Sequence, residues 1–485
     1  MKNQLFSEFI SHTNNDWKQQ VIKDLKGKNF DENLTWLIDE NIRIKSYFGS
    51  DEVSEIPSKF IQQSQNQRLT KTWSYRELIK YKSEKETNSL IISLLEAGAD
   101  SFLIDFSGVF ELEFEINKLL RNIKISTTPF FFKVENAPLN LVNALQIIAP
   151  YHWKGGIDND ILGRYFSTGF YDLSQWETMG KILGKVQDYR EFKLLFINGN
   201  IFHNSGANIG QELAFTLASA IEVVDKMTQQ NLSLLLIVQK IEFTISVGTN
   251  YFAEIAKIRA LKFLWHKILK DGYELNENEI PTISIHCTTS SFYNSNNSPH
   301  TNLVRATTET MSAVIGGCTS LTVRGYDEGF RECDEFSKRI SRNISTILKE
   351  EAYFDKVNDP SAGSYFIENL TFEIAQNAFK LLQEVENKGG IVEAFKQNFI
   401  QDEIKRNFEA KQNELLTNEK IMIGVNKFTE AKQNELLTNE KIMIGVNKFT
   451  ETEQPITKSV EQVYSKSDLG FDLLTNLRLS STFEK

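Results

Sequence analysis

The clearest periodicity in the chain lies in Tyr251–Lys270, where Phe252, Ala256, Ala260 and Leu264 recur four apart and Gly272 follows. That spacing predicts a helix, with Lys267 and Lys270 at its negative end and glycine as its stop. A second helix is predicted over Glu84–Glu96, ended by Gly98 and followed by the short apolar run Phe102–Phe106, which reads as a buried strand. Similar runs occur at Phe130–Val134, Lys193–Ile197, Ile241–Val247, Thr282–Ile285 and Ser320–Val323, with weaker ones at Lys71–Arg76 and Trp153–Ile157. Eight strands interleaved with helices favour an α/β fold, a (βα)8 TIM barrel over residues 69–333, rather than a doubly wound sheet.

The flanks have a different texture. Residues 1–68 read as an N-terminal arm in which Asn15 and Asp16 cap a helix carrying Trp17, Val21 and Leu25, and Gly27 supplies its left-handed stop. Ile42–Phe48 suggests a short extended piece. So early an amphipathic helix must bury its stripe on its own barrel or on a partner. Residues 334–485 read as a C-terminal helical extension, interrupted by the turn Asp359-Pro360-Ser361-Ala362-Gly363. Within it, residues 410–430 recur unchanged as residues 431–451. Two copies do not make a solenoid, which takes about three. Identity without drift points to a recent duplication or a sequence artefact, with one copy in the native socket.

Composition narrows the function classes. Hydrophobic residues make up 41% and charged residues 24%, as in an ordinary globular protein, and 54 Lys+Arg against 64 Asp+Glu leaves −10, which disfavours a dedicated nucleic-acid binder. Leu234–Val238 is too short to span a membrane, and the start, Met-Lys-Asn-Gln, lacks a secretory apolar segment. Three cysteines without CxxC spacing suit a reduced, cytoplasmic protein.

Barrel chemistry belongs at the C-terminal ends of the strands. The candidates there are His203, His286, Cys287, Asp158 with Asp160, and Arg324 near Asp327 and Glu328. None forms a catalytic constellation. Neither histidine has an orienting carboxylate linked to it in sequence. Neighbouring strand residues such as His286 and Cys287 face opposite ways. Asp158 and Asp160 read as loop capping, Arg324 with Asp327 and Glu328 as a structural ion pair, and no HxxxH, Walker or GxGxxG pattern occurs.

Longer stretches say more. Ile241–Trp265 and Asn302–Glu328 resemble the methylmalonyl-CoA mutase family, as do Gln211–Leu217, Arg339–Asn343, Asp359–Glu368, Ile423–Phe428 and Arg478–Phe483. The resemblance implies a barrel threaded by an acyl-CoA, followed in the family by a flavodoxin-like domain that holds adenosylcobalamin. No Asp-x-His-x-x-Gly cobalt motif is present, so a cobalamin-binding half is not expected in this chain. The family's working positions are altered too. Its active-site tyrosine is matched by Leu78, its substrate-contacting glutamine by Asp158 and its carboxylate-gripping arginine by Thr168. Its Tyr-His pair is matched by Asn200-Ile201, and a CoA-contacting arginine by Ser284. Arginine grips a carboxylate with two charge-assisted bonds where threonine offers one hydroxyl, and isoleucine donates nothing to a thioester carbonyl.

With the arm, which includes Trp17 and Leu25-Lys26-Gly27, the chain resembles the small (beta) subunit of heterodimeric members of that family. The resemblance implies a non-catalytic partner of a homologous large (alpha) chain, with acyl-CoA and adenosylcobalamin bound on that chain and no metal, nucleic acid or membrane contact here. Two alternatives stay open: an active barrel served by a cobalamin domain on a separate chain, and a barrel rebuilt for another CoA-linked reaction with His203 as base.

Overall fold

In the computed structural model, which describes residues 12–39, 42–65, 72–109, 115–135, 137–150, 152–427 and 470–484, the apolar runs pair in chain order and close on themselves. β1 (Thr35–Asp39) and β2 (Ile42–Lys45) form an antiparallel hairpin in the arm. The barrel consists of β3 (Ser74–Lys80), β4 (Ser101–Asp105), β5 (Phe130–Lys133), β6 (Gly155–Asp158), β7 (Phe192–Lys193), β8 (Leu195–Asn198), β9 (Ile241–Val247), β10 (Ile285–Thr289) and β11 (Ser320–Thr322). All barrel pairings are parallel. β7 and β8 are two halves of one strand, broken where Leu194 and Leu195 both donate to the Lys240 carbonyl at 3.0 Å. The first half pairs with β6 and the second with β9, so the bulge closes an eight-stranded (βα)8 ring.

Helix Glu84–Glu96 and strand Ile241–Val247 lie where their patterns place them. Two strands are displaced from the expected ranges: Lys71–Arg76 becomes Ser74–Lys80, and Thr282–Ile285 becomes Ile285–Thr289. Both carry polar side chains toward the barrel interior, so a search for apolar runs finds only their ends.

Helix Tyr251–Lys267 continues into a π-helical turn, Ile268–Gly272, and is buried almost all round. It lies beneath the helices Pro299–Gly316 and Tyr365–Asn387 and the arm helix Ser58–Gln65. Such a helix cannot leave a cation unmatched. Arg259, fully buried, meets Glu368 at 3.0 Å and also Asp359, from the turn ahead of helix Tyr365–Asn387.

The arm helix is Asn14–Asp24, and Thr13 caps it rather than Asn15 or Asp16. Asp16 completes a capping box: its Oδ2 accepts from the Thr13 N–H at 2.8 Å while its own N–H donates to Thr13 Oγ1 at 3.2 Å. No residue of this helix is buried. In the extension, helix Phe399–Leu416 and residues 417–427 contain most of the first repeated copy, whose Leu415, Met422 and Val425 pack with Phe292, Phe408, Leu477 and Leu479. The second copy, residues 431–451, lies outside the described residues. The tail then crosses three βα loops, as Leu474, Leu477 and Leu479 donate N–H bonds to the carbonyls of Phe166, Asn204 and Phe292. No described helix is long and apolar enough to cross a membrane.

Replacing Arg259 by Met strands two buried carboxylates and is expected to cost about 3–5 kcal/mol in urea unfolding at neutral pH. Leu415→Ala, emptying part of the socket filled by the first copy, is expected to cost about 2–5 kcal/mol in the same assay.

Candidate active site

Register decides which side chains face the bore. Arg76, on β3, reaches Glu242, on β9, with two bonds of 2.7 and 3.1 Å, although two strands separate them on the nearer side. Its guanidinium lies 3.4 Å from the ring centre of Phe131, which in turn meets Phe196 edge-on at 6.1 Å. Ser320 and Ser284 complete the array: the first accepts from Arg76 at 3.2 Å and the second donates to Glu242 at 3.1 Å. A barrel interior is ordinarily filled by branched apolar side chains. Here a chain of contacts, Phe196–Phe131–Arg76–Glu242–Ser284, spans it. The plug was not anticipated from the sequence. Its signal was available: Arg76 and Glu242 are charges inside predicted buried strands, and such charges need partners.

Above the plug, β3 to β6 end in a directly paired series, Lys80, Asp105, Lys133 and Asp158. Lys133 stands 3.8 Å from Asp105. Burial pushes Asp158 up to about 6, with Lys133 partly opposing, and its Oδ1 has no hydrogen-bond partner among the described residues. Asp158 therefore ends a strand and faces the bore, and it does not cap a loop as expected. Asp160 does: its Oδ1 accepts from the Gly163 N–H at 2.8 Å, and burial followed by the nearby Asp158 charge pushes it up to about 7.

Leu78 also faces the bore from β3 and is 43% exposed at its mouth. Asn200 joins the same rim, accepting at its Oδ1 from Ser246 Oγ at 3.0 Å, and Ile201 follows it on the short helix Asn200–Asn204. Thr168 is exposed at the end of helix Ile161–Thr168, its hydroxyl donating to the Arg164 carbonyl at 2.7 Å. Ser284 lies apart from these, just ahead of β10 at the opposite end of the bore. The fold thus gathers Leu78, Asp158, Asn200 and Ile201 on one face, leaves Thr168 at its margin and removes Ser284.

His203 has the orienting carboxylate that the sequence did not reveal. Its Nδ1 is 3.3 Å from Glu212 Oε2 and its Nε2 is 2.7 Å from Ser290 Oγ. The order is that of an acyl-transfer triad, but the environment is not. Ser290 is 1% exposed, and its Oγ already accepts from the N–H groups of Phe292 and Tyr293 at 3.1 and 3.4 Å. Burial alone would raise Glu212, yet Lys257, 2.6 Å away, and His203 hold it below its ordinary value. The array ties together the segments that follow β8, β9 and β10 and presents no nucleophile to solvent.

His286 is likewise engaged, by Ser320 at 2.8 Å and Thr322 at 3.2 Å, and burial followed by the charges of Arg76 and Arg324 depresses its pKa well below the usual range. Cys287 faces away from it, toward Cys318. Arg324 pairs with Glu328 at 2.6 Å, whereas Asp327 pairs with Arg331 at 2.5 Å. Among the described residues no group of three or more His, Cys, Asp or Glu could hold a metal.

Comparison with known proteins places this geometry. The profile of the family described as methylmalonyl-CoA mutase matches residues 115–439, well over half of the chain. The chain belongs to the methylmalonyl-CoA mutase family. The methylmalonyl-CoA mutase small subunit of Porphyromonas gingivalis is 30% identical over 441 residues, covering 88% of this chain and 71% of that protein. The methylmalonyl-CoA mutase of Cereibacter sphaeroides is 28% identical over 455 residues, and the mitochondrial enzyme of Homo sapiens 26% over 453. Each comparison covers 85% of this chain but only 64% and 60% of those proteins, so the chain spans less than two thirds of either. For a mutase-family barrel, this one has a charged plug in its bore, the aliphatic Leu78 at its mouth, and Ile201 packed against the core on the helix that follows β8.

The half-buried Asp158 gives a pH test. Its folded pKa lies above the unfolded value of 3.8, so holding it ionised costs stability, fully above about pH 6 and not at all below about pH 4. Asp158→Asn is therefore expected to stabilise the chain by on the order of 1–2 kcal/mol at about pH 7.5 and to lose that gain near about pH 4, read by urea unfolding at both. An equal gain at both values would contradict the assignment.

Proposed function

We propose that the chain is the non-catalytic small (beta) subunit of a heterodimeric, adenosylcobalamin-dependent methylmalonyl-CoA mutase. In this reading it stabilises a homologous large (alpha) chain in the cytoplasm, and the large chain isomerises methylmalonyl-CoA and succinyl-CoA. The observation that carries the reading is the Arg76–Glu242 bridge across the bore, wedged against Phe131. Threading an acyl-CoA along that axis would break a buried ion pair, at a cost of about 3–5 kcal/mol.

The mouth supports the same reading. Ile201 has no proton to donate to a thioester oxygen and Leu78 has no hydroxyl. Thr168, already bonded to its own helix, offers no guanidinium to a substrate carboxylate. Adenosylcobalamin does not fit the buried histidines of this chain: His203 and His286 have both ring nitrogens engaged, and His266 is enclosed. The cofactor and the acyl-CoA accordingly belong to the large chain.

A partner is suggested by the arm. Its first helix buries no residue, and Ile22, Trp36, Leu37 and Tyr47 are exposed. An eleven-residue helix whose apolar stripe is only half-buried, with Trp17 stacked on Tyr47 at 4.6 Å, is marginal alone, and exposed apolar surface of this kind suits an obligate interface.

The purified chain given adenosylcobalamin and methylmalonyl-CoA is expected to show no succinyl-CoA formation by chromatography of the thioesters. Affinity capture from its native cytoplasm is expected to recover a longer homologous chain in equal amount. Turnover by the chain alone would overturn the proposal.

A further inference from the structure

Behind the barrel, the last arm helix, Ser58–Gln65, packs on helix Tyr251–Lys267. Ile61 is wholly buried there, Gln65 Nε2 donates to the Arg259 carbonyl at 3.2 Å, and Gln62 Nε2 donates to Glu368 Oε1 at 3.0 Å. Beside these contacts sits His266, 5% exposed, with neither ring nitrogen hydrogen-bonded among the described residues. Phe60 from the arm meets its ring at 5.1 Å and 76°, and Phe60 also meets Phe263 at 5.6 Å.

The charges around the imidazole cancel in pairs. Lys270, whose ammonium lies 5.5 Å from the centre of the Phe60 ring, is bound to Glu277 at 2.8 Å, and Lys267 is bound to Asp271 at 2.5 Å. The arm helix contributes one charged residue, the exposed Lys59. Among the described residues no unpaired carboxylate is therefore available to receive a proton-bearing ring. The neutral ring suits the apolar slot; an imidazolium would have two charged N–H groups without acceptors.

We propose that His266 is a proton-operated latch for the N-terminal arm: protonating it undocks helix Ser58–Gln65 from the barrel. The phenyl rings, met edge-on, return little to a buried cation, whereas each hydrogen bond left unmade by a charged N–H is costly in a low-dielectric slot. Two such groups outweigh the ring contacts. Burial holds the docked imidazole below its ordinary value, with Lys270 acting in the same sense and Glu277 and Asp271 opposing. The released ring binds the proton more readily, so docking is complete above the ordinary value of 6.5 and weakens as pH falls below it. Each unit of separation between docked and released values is a tenfold loss of docking.

Amide hydrogen exchange on the full chain at about pH 7.5 and about pH 5.5, corrected for intrinsic rates, tests the latch. Protection of residues 58–65 is expected to fall several-fold, and at most about tenfold, at the lower pH relative to the buried helix Ile209–Thr228. His266→Phe, which fills the slot and cannot titrate, is expected to keep that protection at both values. Unchanged protection in the natural chain, or the same loss in the variant, would refute the latch. Should the variant fail to fold, C2-hydrogen exchange of His266 in the natural chain decides: a titration below 6.5 is expected, and one at or above it is the refuting result.

Discussion

A guanidinium held across the bore sets the character of this barrel. Arg76 leaves β3, crosses the interior and is met by both oxygens of Glu242 on β9, with the face of Phe131 closing the remaining side. A buried ion pair adds little net stability against an apolar filling of the same shape, because both charges must be stripped of water. What it adds is geometry. Two strands on opposite walls are tied at one height, and the interior must remain polar around them. The hydroxyls of Ser284, Ser320 and Thr322 and the ring of His286 follow from that requirement.

The same rule recurs outside the ring. Lys257 is shared by Glu212 and Glu254, Arg259 by Asp359 and Glu368, and Arg342 is matched by Glu77. Two of these pairings run from barrel elements to the helices that follow the barrel. Removing either partner would leave a charge in a low-dielectric interior, so the extension is held to the barrel by necessity as well as by apolar packing. The tail adds backbone bonds to three βα loops, which steadies the very face on which chemistry would be sought.

The C-terminal face of the barrel follows the same rule. Many polar groups of its rim are turned toward one another: Asn200 to Ser246, His203 to Glu212 and Ser290, Asp160 to its own helix. Groups satisfied internally have little left to offer a substrate, and Leu78, exposed at the mouth, is aliphatic.

Much of the architecture was legible because it is local. Helix Glu84–Glu96 and strand Ile241–Val247 carry their periodicity within themselves, and the (βα)8 alternation follows from counting such segments. What the side chains of Leu78, Asp158, Thr168, Asn200, Ile201 and Ser284 can offer chemically was readable for the same reason, since it is a property of residue type. Hidden from the sequence were pairings between distant segments. Arg76 meets a residue 166 positions away, Ser290 meets His203 across 87, and β10 was misplaced because its inward residues are polar. A one-dimensional pattern records which side chains prefer water. Which buried charge finds which counter-charge is settled only when strands close into a ring and the loss of solvent forces each to be matched.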